Sequence, residues 1–149
     1  MRIDTAQRKH LRNLLSRRQE SAGVVTRRAN GLHFDETRAL RRDLKTFHTH
    51  NLSDKSGGRG FDPPSRKDMS YLMKFSKKGH YVVSHRGIYY VKIDCRVSVS
   101  ASKKLITAMS EMQRTMKPGA RYNARYLSDV NSIAPRCLKV TFTTWSSLT

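Results

Sequence analysis

Four histidines are the first residues whose type and spacing invite chemistry: the run His48-Thr49-His50, followed by His80 and His85. Together they could be assembled into a metal site. Metal sites usually add Cys, Asp or Glu at recurrent ligand spacing, and none stands at such a spacing here. The histidines are therefore read as facing solvent or RNA, with no metal and no cofactor. Cys95 and Cys137 lie in separate strand-like apolar stretches rather than in a C-x-x-C pair, and are read as two buried free thiols. No phosphate-binding glycine loop occurs, and no Ser/His/Asp or Cys/His set can be built from spacing alone. No catalytic residue is assigned, and the chain is read as a binding protein rather than an enzyme.

The cations are the stronger signal. Arg8, Lys9, Arg12, Arg17, Arg18, Arg27, Arg28, Arg38, Arg41 and Arg42 crowd the first third. Arginine suits bidentate phosphate contacts and stacking on bases. Arg66 and Lys67 open one expected helix and Lys103 and Lys104 another, where the helix dipole disfavours cations unless an anion sits among the free N–H groups. On the polar face of an expected long strand, Tyr90, Lys92 and Arg96 align an aromatic with two cations, as sheets that bind single strands do. These seventeen residues are the expected nucleic-acid contacts.

Two short stretches resemble known families. Ser100 to Met112, with Ser102, Lys103 and Lys104 opening a helix after a strand, resembles the end of a double-stranded-RNA-binding domain over about thirteen residues. It implies RNA contact at Lys103 and Lys104. The alanine-rich helix of that family does not follow here. Gly79-His80-Tyr81 and Tyr89-Tyr90-Val91 resemble the paired motifs of GIY-YIG nucleases, which also need a metal-binding carboxylate after a helical Arg. The acids that follow here are Glu111 and Asp129.

The elements that must position these residues follow from periodicity. Asp4 or Thr5 caps a first helix with Leu11, Leu14 and Leu15 on its apolar stripe. A second helix is expected from Asp35, with Leu40, Leu44 and Phe47 inward. Both stripes are narrow, so residues 1–50 are read as a basic helical extension. The turn-rich stretch 51–64 is read as a linker containing Gly57, Gly58, Gly60 and the Pro63-Pro64 pair, and 65–149 as the core. In the core, Ser65 and Asp68 form a capping-box pattern for a helix burying Met69, Leu72 and Met73. His80 to Ser84 reads as a strand, with a turn at Arg86-Gly87. From Tyr89 to Val99 the odd residues are apolar and the even ones polar, which predicts one long strand. Ser100 or Ser102 caps a helix with Leu105, Met109, Met112 and Met116. Strands over Arg121 to Leu127 and Cys137 to Trp145 complete an α-β-β-α-β-β order. The fold class is α+β: a small antiparallel sheet with one buried and one polar face, and helices on one side.

Totals narrow the function class. The chain has 149 residues, 30 Lys plus Arg against 11 Asp plus Glu, and a formal charge of +19. Residues 1–50 hold 12 cations and 5 acids, the remainder 18 and 6, so the two parts carry +7 and +12. A compact chain with this charge repels itself until a polyanion neutralises it. Nucleic acid, RNA favoured over DNA, is the expected partner; an anionic membrane surface is the competing polyanion. No apolar run approaches the roughly 18 residues needed to cross a bilayer and no secretory signal is recognisable, so the expected setting is intracellular, in cytoplasm or organelle matrix. The expected function is a structural RNA-binding component of a ribosomal or mitoribosomal subunit, in contact with neighbouring proteins of the particle. A viral or phage protein that coats, compacts or sequesters nucleic acid is the alternative, and a GIY-YIG-like nuclease the third.

Overall fold

A computed structural model describes residues 1–41, 43–51, 63–75, 78–115 and 120–148. It is an α+β fold with four helices and one six-stranded mixed sheet of order β2-β1-β3-β4-β5-β6. The elements are α1 (Thr5–Leu15), β1 (Ala22–Arg28), β2 (Gly31–Asp35), β3 (Lys45–Thr49), α2 (Arg66–Phe75), β4 (His80–Val83), β5 (Gly87–Ile93), α3 (Val99–Thr115), α4 (Ala120–Ile133) and β6 (Leu138–Thr144). No helix among the described residues is long and apolar enough to cross a membrane.

Residues 1–50 are not an all-helical extension. Among its described residues only α1 is helical, and β1 to β3 belong to the same sheet as β4 to β6. Asp4 caps α1, its Oδ1 accepting the Gln7 N–H at 2.7 Å, and Leu11, Leu14 and Leu15 are buried as their spacing predicts. The expected second helix from Asp35 does not form. Val24, Val25 and Thr26 are β-branched and stiff at χ1, which favours a strand, and the two-residue turn Ala29-Asn30 leads back into β2, which opens with Gly31 paired to Arg28. Gly31 sits at φ +123°, and a Cβ there would meet the Arg2 carbonyl oxygen at 2.5 Å. Leu40 consequently lies 52% exposed, and Phe47 is buried from a strand rather than a helix.

The sheet is mixed, not antiparallel, because β3 and β4 run parallel with Thr46 opposite His80 and His48 opposite Val82. Parallel neighbours need a crossover, and α2 supplies it. Both faces are covered, not one. On one, Met69, Leu72, Leu105, Met109, Met112, Tyr126 and Val130 from α2, α3 and α4 meet Val82, Tyr89, Val91, Leu138 and Val140. On the other, the α1 leucines pack on Val25, Phe34, Phe47, Tyr81, Val83 and Ile88. Burying each large apolar side chain contributes about 1.5–3 kcal/mol, so two packed faces hold the sheet in place.

Three more expectations are corrected. Arg121 to Leu127 lies in α4 rather than in a strand, because Tyr126 and Val130 are four apart and both buried on one helical face. The expected long strand stops at Ile93, and Val99 is 70% exposed in the first turn of α3. Ser98 caps that helix, its Oγ accepting the Ala101 N–H at 3.1 Å. Cys95 and Cys137 are joined in a disulfide with Cα atoms 4.8 Å apart, because each adjoins one end of the Ile93–Leu138 pair across β5 and β6. The α2 capping box and the inward Leu138 and Val140 of β6 are as expected. Of the linker stretch, residues 52–62 lie outside the described residues, as do Arg42 and Met116.

Candidate functional site

Alternation along β3 sends Phe47 and Thr49 toward the α1 face, and Thr46, His48 and, just past the strand end, His50 toward α2. His80 points the same way from β4, because it occupies the even register that it shares with Val82. Across from them stands Asp68 on the first turn of α2. Its carboxylate is fixed by the capping box: Oδ2 accepts the Ser65 N–H at 2.7 Å, while Ser65 Oγ accepts the Asp68 N–H at 3.1 Å.

These four side chains form one polar cluster. His48 Nε2 lies 2.9 Å from His50 Nε2 and 3.3 Å from Asp68 Oδ1, and His50 Nε2 lies 3.0 Å from Asp68 Oδ2. The other ring nitrogen of His48, Nδ1, meets His80 Nε2 at 2.6 Å, and His80 Nδ1 meets Thr46 Oγ1 at 2.7 Å. His48, His50 and Asp68 each offer one ligand atom, all within 4.8 Å of one another. His85 is exposed in the turn between β4 and β5, apart from this cluster.

Burial would raise the Asp68 pKa, but hydrogen bonds from His48 and His50 and their charge outweigh it, so the carboxyl lies far below the usual range. Asp68 is thus an anion at neutral pH. His80 goes the other way: burial, then the neighbouring His48, hold its imidazole well below the ordinary histidine range despite an opposing pull from Asp68. It is neutral at pH 7 and works as a hydrogen-bonding spacer.

The cluster opens into a pocket of 300 Å³ that Lys67, Tyr71, Ser65 and Leu40 also line. Tyr71 is 53% exposed on α2, one turn beyond Asp68. From behind, Asn51 anchors the end of β3: its Nδ2 lies 3.1, 2.9 and 2.8 Å from the carbonyl oxygens of Leu14, Arg17 and Gln19.

The expected nucleic-acid contacts are placed unevenly. Arg8, Lys9 and Arg12 come together with Arg2 around a hollow of 710 Å³ where Asp4, the only carboxylate among the described lining residues, is engaged by Gln7 and Asn30. Arg96 and Lys103 meet Lys74 around a hollow of 1160 Å³ that Met73, Ile93 and Ile106 also line. Lys103 and Lys104 stand in the second turn of α3, not the first, so its dipole acts on them weakly. Arg66 and Lys67 do open α2, and the Arg66 N–H donates to Gln113 Oε1 at 2.8 Å. Arg18, Arg27, Arg28 and Arg38 are exposed.

Several expected contacts are already engaged. Arg17 pairs with Glu36 at 3.6 Å, Arg41 with Asp43 at 2.7 Å and Lys92 with Asp94 at 3.5 Å. Tyr90 is no open platform: its ring packs 4.6 Å from Tyr81, and Lys45 Nζ lies 5.2 Å from its centre. Comparison of the chain with known protein families, curated proteins and solved structures finds no match in any of the three.

Reasoning from spacing missed Asp68 as a histidine partner because it lies 18 residues beyond His50 and on a helix. The available signal was Ser65-Arg66-Lys67-Asp68 itself. It opens a helix directly after the His48-Thr49-His50 strand, so its first turn lies close to the end of a strand on that helix's own side of the sheet.

Proposed function

We propose that this protein binds nucleic acid, RNA favoured over DNA, as a free-standing unit. The observation that carries the reading is the hollow where Arg2, Arg8, Lys9 and Arg12 converge with Asp4 already engaged, in a chain whose 30 cations outnumber its 11 acids. Even complete one-to-one pairing would leave nineteen positive charges, and phosphates spaced along a backbone are their natural counterions. The incorporation of β1 to β3 into the common sheet supports a free-standing binder over a particle component whose first third orders only on RNA. The ribosomal or mitoribosomal role of such a component belongs to that weaker alternative.

Affinity for single- and double-stranded RNA and DNA, measured at several salt concentrations, tests the reading. A flat salt dependence would overturn it. Isolating the protein from its native source with and without nuclease treatment then identifies the nucleic acid.

A second reading, metal-dependent cleavage of a phosphodiester, is favoured by one observation: His48, His50 and Asp68 offer ligand atoms within 4.8 Å of one another in a pocket that Lys67 and Tyr71 also line. Incubation of labelled RNA and DNA with the protein and Mn²⁺, against an EDTA control, tests it. Products that persist in EDTA, or none in either arm, would reject it.

A further inference from the structure

We propose that His48 Nε2, His50 Nε2 and one Asp68 carboxylate oxygen bind a divalent transition-metal ion whose remaining coordination positions take water or a phosphate oxygen of bound nucleic acid. The phosphate part rests on the nucleic-acid reading above; the metal part does not.

The dimensions of the cluster carry the inference. A tetrahedral ion with bonds of about 2.0–2.1 Å holds neighbouring ligand atoms about 3.3 Å apart. The two imidazole nitrogens stand 2.9 Å apart, His48 Nε2 lies 3.3 Å from Asp68 Oδ1 and His50 Nε2 lies 3.0 Å from Asp68 Oδ2. One ligand atom from each residue lies within 4.8 Å of the others, so a small turn of the carboxylate that brings one oxygen between the two rings admits the ion. Without an ion the arrangement is awkward. Two imidazole nitrogens 2.9 Å apart repel when both present lone pairs, and only one of them can satisfy the other with a proton. A cation lets both present lone pairs to one charge.

The surrounding hydrogen bonds prepare the same state. A ligating histidine usually donates its other N–H to a partner that fixes its tautomer. When His80 Nδ1–H donates to Thr46 Oγ1, at 2.7 Å, His80 Nε2 is free to accept the His48 Nδ1–H at 2.6 Å. A metal that displaces the proton His48 Nε2 directs at Asp68 then meets a lone pair there, while Nδ1 keeps its own proton. Asp68 is held independently by the Ser65 N–H. His80 is thus a positioning residue for the metal, not a ligand.

The donor set specifies the ion's class. Two imidazoles and a carboxylate suit Zn²⁺, Mn²⁺, Co²⁺ or Fe²⁺ rather than Ca²⁺ or Mg²⁺, which prefer oxygen alone. Three protein ligands leave at least one position open. That position faces the 300 Å³ pocket, which the Lys67 ammonium and the Glu20 carboxylate both line, so the attraction for an anion comes from the bound cation itself. A phosphodiester oxygen is the anionic ligand that the charge of this chain brings in most abundance.

The test uses the full chain, stripped with EDTA and titrated with Co²⁺ while visible absorption and heat are recorded. One equivalent should bind, with the visible bands of a four- or five-coordinate site, and Zn²⁺ should displace it. His50→Ala and Asp68→Asn should each weaken binding at least tenfold, and His80→Gln about tenfold with the Co²⁺ bands shifted. His85→Ala should change nothing. Asp68→Asn retains an oxygen for the Ser65 N–H, so it decides the matter if His50→Ala does not fold. Absence of Co²⁺ binding, or equal affinity in Asp68→Asn and His85→Ala, would overturn the site. A short single-stranded oligonucleotide should then bind Mn²⁺-loaded protein more tightly than EDTA-treated protein. Equal affinity in the two would overturn the phosphate ligand while leaving both metal binding and the electrostatic reading intact. Failure of the oligonucleotide to bind in either state, with Co²⁺ binding normal, would count against the nucleic-acid reading instead.

Discussion

A single oxygen of Asp68, Oδ2, accepts the backbone N–H that closes the first turn of α2 and also faces His50 Nε2 at 3.0 Å. Helix capping and the histidine cluster therefore share one carboxylate, and substitutions separate the two roles. Asp68→Asn keeps an acceptor for Ser65 and should cost little beyond the lost charge, whereas Asp68→Ala should lose about 1 kcal/mol more through the cap. The folded pKa of Asp68 is depressed, so its stabilising contribution is present above the unfolded value of 3.8 and lost as pH falls below it. Urea denaturation at pH 7 and pH 3 checks this: the gap between wild type and Asp68→Asn should narrow at the lower pH.

Binding of RNA or DNA should weaken steeply with salt. A log-log slope of about −0.9 is expected for each phosphate engaged on a duplex, and about −0.7 on a single strand. Fluorescence anisotropy at three or more salt concentrations measures the slope.

Charge position should matter as well as its total. Lys9→Gln with Arg12→Gln empties part of the hollow beside Asp4 and should lower the salt slope by about two units. Arg136→Gln with Lys139→Gln removes the same net charge from exposed positions at the start of β6. If both double variants lose equal affinity, the polyanion senses only a diffuse field.

The Cys95–Cys137 disulfide spans a separation of 42 residues. By the loop-entropy argument, cross-linking a loop of this length stabilises by about 4 kcal/mol, with strain reducing the figure. Cys95→Ser should therefore lower the melting temperature by several degrees, and a reductant should produce the same fall in the wild type but none in the variant.

Tyr81 is buried between Phe34 and Tyr90, and burial, then Tyr90, push its phenol up to about 12. A raised folded pKa means that this contribution is complete below the unfolded value of 10.0 and disappears as pH rises through 12. Tyr81→Phe should lose less stability than wild type between pH 9.5 and about pH 11.5, followed by thermal melts.

Local pattern determined a good deal about this protein. The Asp4 cap with Leu11, Leu14 and Leu15, the Ser65–Asp68 box, the Leu138–Val140 alternation and the large positive charge all depend on residues within a few positions of each other. The chain's α+β class follows from those same periods. Tertiary structure decided the remainder. Asp35 to Phe47 has charge and apolar spacing suited to a helix, but pairing of β1 with both β2 and β3 satisfies the backbone of Lys45–Thr49 and buries Phe47 against Phe34. Arg121 to Leu127 alternates like a strand, yet it forms a helix packed against α3 and β6, from which Tyr126 reaches the Pro64 carbonyl oxygen at 2.8 Å. The histidine cluster shows the same division. His48-Thr49-His50 is visible in the chain, while its acid and its spacer come from α2 and β4 through a parallel crossover. Sequence periodicity records which face of an element is apolar; which two faces meet is set by burial summed over the whole sheet, and that sum placed Asp68 over His50.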